Sequence, residues 1–124
     1  MRKNVLVVDD SAIIRSLLIS TIETLDDIET FEAANGFEAL KALPTQSFDL
    51  MLIDINMPEI NGLELVHFVK NHPDYRNIPV MIVSTEREEV DIRKALALGA
   101  RRYITKPFDP DQLKQAVKEL LKPE

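Results

Sequence analysis

Five short apolar runs divide the chain: Asn4-Val5-Leu6-Val7-Val8, Ile28 to Ala33, Leu50-Met51-Leu52-Ile53, Val80 to Thr85, and Arg102-Tyr103-Ile104-Thr105. Most are unbroken rather than alternating, the mark of strands buried on both faces of a parallel sheet. The second is more polar, as an edge strand can be. Between them the period lengthens to that of a helix. From Ser11, residues Ile14, Leu17, Leu18, Ile22 and Leu25 recur at helical spacing, with Arg15, Ser16, Thr21 and Glu23 on other faces. Asn35-Gly36 turns the chain into a short helix through Phe37, Leu40 and Leu43, which Pro44 should stop. Leu65, Val66 and Val69 give a third helix over Gly62 to Asn71, closed by Pro73. A fourth is expected from Glu86 to Leu98, with Gly99 as its left-handed cap. Asp109-Pro110 opens a fifth, whose Leu113, Ala116, Val117, Leu120 and Leu121 keep one face. Strands alternating with helices predict a doubly wound α/β domain with helices on both faces of its sheet.

Chemistry-bearing residues gather where these strands end. Asp9 and Asp10 close the first, Asp54 the third, Ser84 and Thr85 the fourth, and Lys106 follows the fifth. In open α/β sheets ligands bind at that carboxyl edge, where the loops leaving neighbouring strands diverge. If the strand order is 2-1-3-4-5, Asp9, Asp10 and Asp54 converge in one crevice. Two unit charges about 4 Å apart repel by about 4 kcal/mol at an effective dielectric near 20, so such a triad calls for a cation or a proton. Oxygen ligands at a partly open site suit Mg²⁺, and Lys106 brings a second positive charge. A carboxylate that attacks a phosphoryl group gives an acyl phosphate, and stabilising that transfer is mostly positioning and charge neutralisation. Taken singly, each residue has a plainer use. Asp9, Asp10, Ser84 and Thr85 can cap helices or end strands, Asp54 can start the turn announced by Pro58 and Asn61-Gly62, Lys106 can be a solvated lysine, and Tyr103 a half-buried strand aromatic. Those plain uses would all have to coincide at four mouths of one sheet.

Charge and composition narrow the partners. Fifteen basic against 21 acidic residues leave a net charge of −6, which disfavours nucleic acid or an anionic membrane as a direct partner. The Arg101-Arg102 pair is too short to change that and suits the rim of a contact with an acidic protein. With no cysteine there is no disulfide, thiolate site or thiol nucleophile. No run is long enough to span a bilayer, and the amino terminus has no secretion-signal pattern, so a cytoplasmic protein is expected. At 124 residues, with neither repeat nor linker, the chain is expected to be a single domain over 1–124.

The acid pair Asp9-Asp10, Asp54 followed by Met57-Pro58 and Asn61-Gly62, the Ser84 hydroxyl and the triplet Lys106-Pro107-Phe108 together resemble the receiver domain of two-component response regulators, of the free-standing CheY-like type. The likeness covers essentially the whole chain, with its motifs in the right order at compatible spacings. It implies the flavodoxin-like five-stranded sheet in order 2-1-3-4-5 with five helices. Asp54 would accept the phosphoryl group, and Asp9, Asp10, Asp54 and the backbone carbonyl of Asn56 would hold Mg²⁺. Ser84 would be the switch hydroxyl, Tyr103 the aromatic whose rotamer follows it, and Lys106 the contact to the phosphoryl oxygens, with a cis bond to Pro107. The donor would be a histidine kinase or histidine phosphotransfer protein, and a target protein would read the face made by the fourth helix, fifth strand and fifth helix. Such a chain is a phosphorylation switch rather than an enzyme, although it would assist its own phosphorylation and dephosphorylation.

Three positions depart from or tune that pattern. Thr85 stands where the family usually has alanine or glycine, and its bulk beside the phosphoryl site affects water or donor access. Asn56 and Glu86 occupy positions that tune the phosphoryl lifetime, in a combination like that of chemotaxis members. Glu88 and Glu89 are acidic where members that bind the flagellar motor switch can carry lysine, which argues against the motor as partner. His67 and His72 lie away from the strand mouths and take no assigned role. A haloacid-dehalogenase-type phosphohydrolase would need a second aspartate where this chain has Asn56. A flavin carrier would need a glycine- and hydroxyl-rich phosphate loop where it has Asp9-Asp10-Ser11-Ala12. A phosphorylation-independent scaffold and a receiver cut from a longer transcriptional regulator remain as alternatives, and chemotaxis, pilus motility and phosphorelay are open as pathways.

Overall fold

The computed structural model describes residues 2–122. Its elements run β1 (Lys3–Val8), α1 (Ala12–Ile22), β2 (Ile28–Ala33), α2 (Gly36–Ala42), a 3₁₀ turn (Leu43–Thr45), β3 (Leu50–Ile53), α3 (Gly62–Asn71), β4 (Val80–Ser84), α4 (Glu89–Leu98), β5 (Arg102–Thr105) and α5 (Pro110–Leu121). The strands form one parallel sheet in the order β2-β1-β3-β4-β5. That is the expected doubly wound, flavodoxin-like arrangement.

Side chains of successive strand residues point to opposite faces, and each face has its own core. Leu6, Val8, Met51, Ile53, Val80 and Ile82 pack under α2, α3 and α4, against Ala39, Leu65, Val66, Val69 and Ala95. Val5, Val7, Leu50, Leu52, Met81, Val83 and Ile104 pack under α1 and α5, against Leu18, Ile22, Leu113, Ala116 and Val117. β2 and β5 are the edge strands, and only Ala33 of β2 is buried.

Helix starts follow local chemistry. Ser11 accepts from the Ile14 amide, and Asn35 from that of Glu38. Asn61 and Glu64 close a reciprocal capping box on α3. Asp109 caps α5 ahead of Pro110 in the first turn. Gly99 ends α4 at φ 119°, a left-handed conformation that glycine adopts without strain.

The second helix ends at Ala42, ahead of Pro44 as expected, and the chain then tightens into a 3₁₀ turn through Thr45, where the missing N–H of Pro44 is tolerated in the first turn. Three details differ from the sequence expectation. β4 ends at Ser84, one residue short of Thr85. α4 begins at Glu89 rather than Glu86, because Glu86 and Arg87 are held by residues distant in sequence, described below. Leu17 lies on the helical stripe read from the sequence yet is 49% exposed, and Ile13 beside it is 75% exposed. The stripe that meets the sheet is the one carrying Leu18 and Ile22.

Candidate functional site at the carboxyl edge of the sheet

Register brings the two central acids side by side. Val8 pairs with Ile53 across β1 and β3, so Asp9 and Asp54 leave adjacent strands at the same level, and the Asp54 amide donates to the Val8 carbonyl at 3.0 Å. Asp10 follows, exposed at the rim. The three carboxylates each present an oxygen within 4.8 Å of the others. Lys106 reaches in from the end of β5. Its Nζ donates to Asp9 Oδ2 at 2.7 Å and lies 3.5 Å from Asp54 Oδ1. The Lys106–Pro107 peptide bond is cis.

Asp9, Asp54, Ser84 and Lys106 are the buried polar or charged residues among those described. Asp9 is fully partnered: one oxygen meets Lys106 and the other accepts the Ser11 amide at 2.9 Å. Asp54 has less support. Its Oδ1 accepts a long 3.4 Å contact from the Asn56 amide. Burial pushes the Asp54 carboxyl above its ordinary value; Lys106 and the Asn56 amide pull it down, while Asp9 and Asp10 push it further up. A carboxylate that the protein alone does not fully stabilise is therefore placed beside a second buried acid.

Gly62 explains how the backbone of Asp54 is held. A Cβ at this position would stand 2.2 Å from the Asp54 carbonyl oxygen and 2.7 Å from Ile55 Cα, so the start of α3 rests directly on the exit of β3. The Asn-Gly pair read from the sequence as a turn is thus needed for close approach.

Around the rim, the Asn56 side-chain amide donates to Glu86 Oε1 at 3.0 Å and makes a longer 3.4 Å contact with the Thr85 hydroxyl. Ser84 is buried, and its Oγ accepts the Glu86 amide at 3.2 Å. It does not cap α4, whose N-cap Glu88 makes no side-chain cap bond. Tyr103 is half-buried and donates its hydroxyl to the Glu86 carbonyl at 2.7 Å. Burial raises its phenol above the ordinary value; the nearby Ser84 hydroxyl offsets part of the rise, and the charges of Asp91, Glu86 and Asp54 add to it. Pro107 is exposed and Phe108 half-buried beside the mouth.

Two functional supports were not legible in the sequence. Arg15, read only as a polar-face residue of the first helix, donates Nη1 to the Asp9 carbonyl at 2.7 Å and pairs with Glu32 of β2 at 2.9 Å. Arg87 donates to the Lys106 carbonyl, 19 residues away. No local pattern marks either one, because both partners belong to other strands. His67 is exposed on α3, while His72 stacks on Tyr75 with centroids 4.4 Å apart. Both are remote from the acids in the chain, in and after the last turns of α3.

The same architecture recurs in known proteins. The family model for the response regulator receiver domain matches residues 5–118. A chemotaxis protein CheY homolog of Campylobacter jejuni is 38% identical over 94% of this chain and 90% of its own length. The Regulator of RpoS of Escherichia coli is also 38% identical, over 98% of this chain but 35% of its own. The structure of the chemotaxis protein CheY4 of Vibrio cholerae superposes with a TM-score of 0.90 at 32% identity, covering 98% of this chain and all 100% of that one. Family model, relatives and superposition agree on one assignment, and the chain belongs to the response regulator receiver domain family, whose CheY-like members act in phosphorylation-based signalling.

Proposed function

We propose that this protein is a cytoplasmic phosphorylation switch in which Asp54 accepts a phosphoryl group from a histidine kinase or histidine phosphotransfer protein. The observation that carries the reading is the buried set at the sheet's carboxyl edge: Asp54 only 5% exposed, beside Asp9 and Lys106. In the transfer, an Asp54 carboxylate oxygen forms a bond to phosphorus as the donor's P–N bond breaks. The imidazole leaves with the bonding electrons and is protonated from solvent. Lys106, now shared by Asp9 and Asp54, turns its ammonium to the incoming phosphoryl oxygens.

The donor set fits Mg²⁺. It is all oxygen, with the exposed Asp10 on an open side that leaves room for water and phosphate ligands. Asp9, Asp10, Asp54 and the Asn56 backbone carbonyl would hold the ion. When bound, it offsets the carboxylate repulsion and neutralises charge on the transferred group.

Ser84 then moves toward the phosphoryl oxygens and Tyr103 follows, carrying the change to the α4–β5–α5 face, where a target protein binds. Val90 and Leu96 of α4 are exposed apolar residues suited to that contact. Leu17, beside Pro107 and Phe108, and Ile13 one turn before it on α1 form the apolar approach for the donor. Asn56, Glu86 and Thr85 line the rim and govern the entry of the water that hydrolyses the acyl phosphate. The names of the Campylobacter and Vibrio relatives favour chemotaxis as the pathway.

The test is rapidly acid-quenched intact mass after incubation with acetyl phosphate, with and without Mg²⁺, beside Asp54→Asn. One added phosphoryl group, dependent on Mg²⁺ and absent from the variant, is the expected result. An unmodified wild type with its fold and Mg²⁺ binding intact would instead support a phosphorylation-independent scaffold.

A further inference from the structure

Glu and Arg are good helix formers, so the fourth helix is expected from Glu86, yet the chain stays non-helical until Glu89. Tertiary contacts hold it out. Tyr103 donates to the Glu86 carbonyl at 2.7 Å, Asn56 donates to the Glu86 carboxylate at 3.0 Å, and the Arg87 guanidinium donates to the Lys106 carbonyl. Tyr103 and Lys106 both belong to β5 or its end, so the loop between β4 and α4 is fastened along that strand at two successive residues. The Arg87 contact is the charge-assisted one of the pair, and its acceptor belongs to the residue whose ammonium holds Asp9 and Asp54.

We propose that Arg87 is a positioning residue that latches the loop after Ser84 to the end of β5, so that this loop, the Tyr103 ring and Lys106 shift as one unit. The inference rests on the switch role proposed above for Ser84 and Tyr103, and it adds a regulator of that switch. While the latch is closed, the Glu86 carbonyl stays where the Tyr103 hydroxyl can reach it, and the inward ring is favoured without any phosphoryl group. With the latch removed, residues 86–88 can join α4. The Glu86 carbonyl then turns to an amide one helical turn further on, and the Tyr103 hydroxyl loses its acceptor. A part-buried hydroxyl without its acceptor is disfavoured against one bonded to water, so the ring turns outward.

Arg87 is exposed, so its removal leaves the core untouched. The experiment is ring-labelled tyrosine NMR on the full chain without phosphodonor, comparing wild type, Arg87→Ala and Arg87→Lys. The chain has two tyrosines, so Tyr75 serves as an internal reference. Arg87→Ala should lower the inward-to-outward ratio of Tyr103 by about fivefold, with Tyr75 and the unfolding midpoint unchanged. Arg87→Lys, which keeps one charged donor, should fall between. A Tyr103 signal unmoved in a folded Arg87→Ala, or one that moves only together with Tyr75 and the midpoint, would overturn the latch. Failure of the acceptor reading registers separately, as absence of a phosphoryl adduct on the wild type.

Discussion

The two ends of the sheet treat charge in opposite ways. At the amino edge of the strands, Asn4 and Asp49 tie β1 to the approach of β3: the Asn4 amide donates to Asp49 Oδ2 and the Asp49 amide to the Asn4 carbonyl, each at 2.8 Å. Those groups are part-exposed and complementary, and their whole effect is to extend the pairing of β1 with β3. At the carboxyl edge, two buried acids share one lysine with a third acid at the rim. Polar groups that serve only the fold end up partnered. Charges kept buried beside like charges need a further role, and under the proposed function that role is to meet a cation and a phosphoryl group.

Lys106→Met sharpens this contrast most. It leaves Asp9 and Asp54 buried with no cation, and should cost about 3 kcal/mol in urea unfolding at neutral pH, much of it recovered on adding Mg²⁺. The matching change at the other edge, Asp49→Ala, should cost about 1 kcal/mol and be indifferent to Mg²⁺. Equal losses in the two variants would erase the distinction between the ends.

Gly62→Ala comes next. Its Cβ would meet backbone atoms of Asp54 and Ile55, which cannot rotate away as a side chain can. A loss of about 2 kcal/mol is expected, and chemical-shift changes in the amides should centre on Asp54.

The smallest effect has the opposite sign. A carboxyl whose folded pKa lies above its unfolded value binds more protons in the folded state. Its contribution to stability is full below the ordinary 3.8 and is lost as pH rises through the folded value. Asp54→Asn removes that loss, so at neutral pH and without Mg²⁺ the variant should be more stable than wild type by on the order of 1 kcal/mol. The advantage should vanish as pH falls below 3.8. Thermal unfolding across that range checks both the sign and the window.

The fold was legible because its signals are local. Unbroken apolar runs marked the strands, and Asn35, Asn61, Gly99 and Asp109-Pro110 marked helix ends where they occur. The acids and Lys106 could be placed because strand ends in a parallel sheet share one edge. What could not be read depends on partners distant in the chain. The late start of α4 needs Tyr103, Asn56 and Lys106, at sequence separations of 17, 30 and 19 residues. Arg15 grips the Asp9 carbonyl directly while its Nε pairs with Glu32 of another strand. Periodicity likewise gave α1 an apolar stripe but not which part of it meets the sheet. Leu18 and Ile22 turn inward, while Ile13 and Leu17 stay outside.

The most direct test of Asp54 as acceptor is to locate the phosphoryl group. Borohydride reduces an acyl phosphate to an alcohol, so treating the acetyl-phosphate-modified protein and sequencing its peptides by mass spectrometry should find homoserine at position 54 alone. Homoserine at Asp9 or Asp10 instead, or at no aspartate in a protein that carries the added mass, would contradict the account.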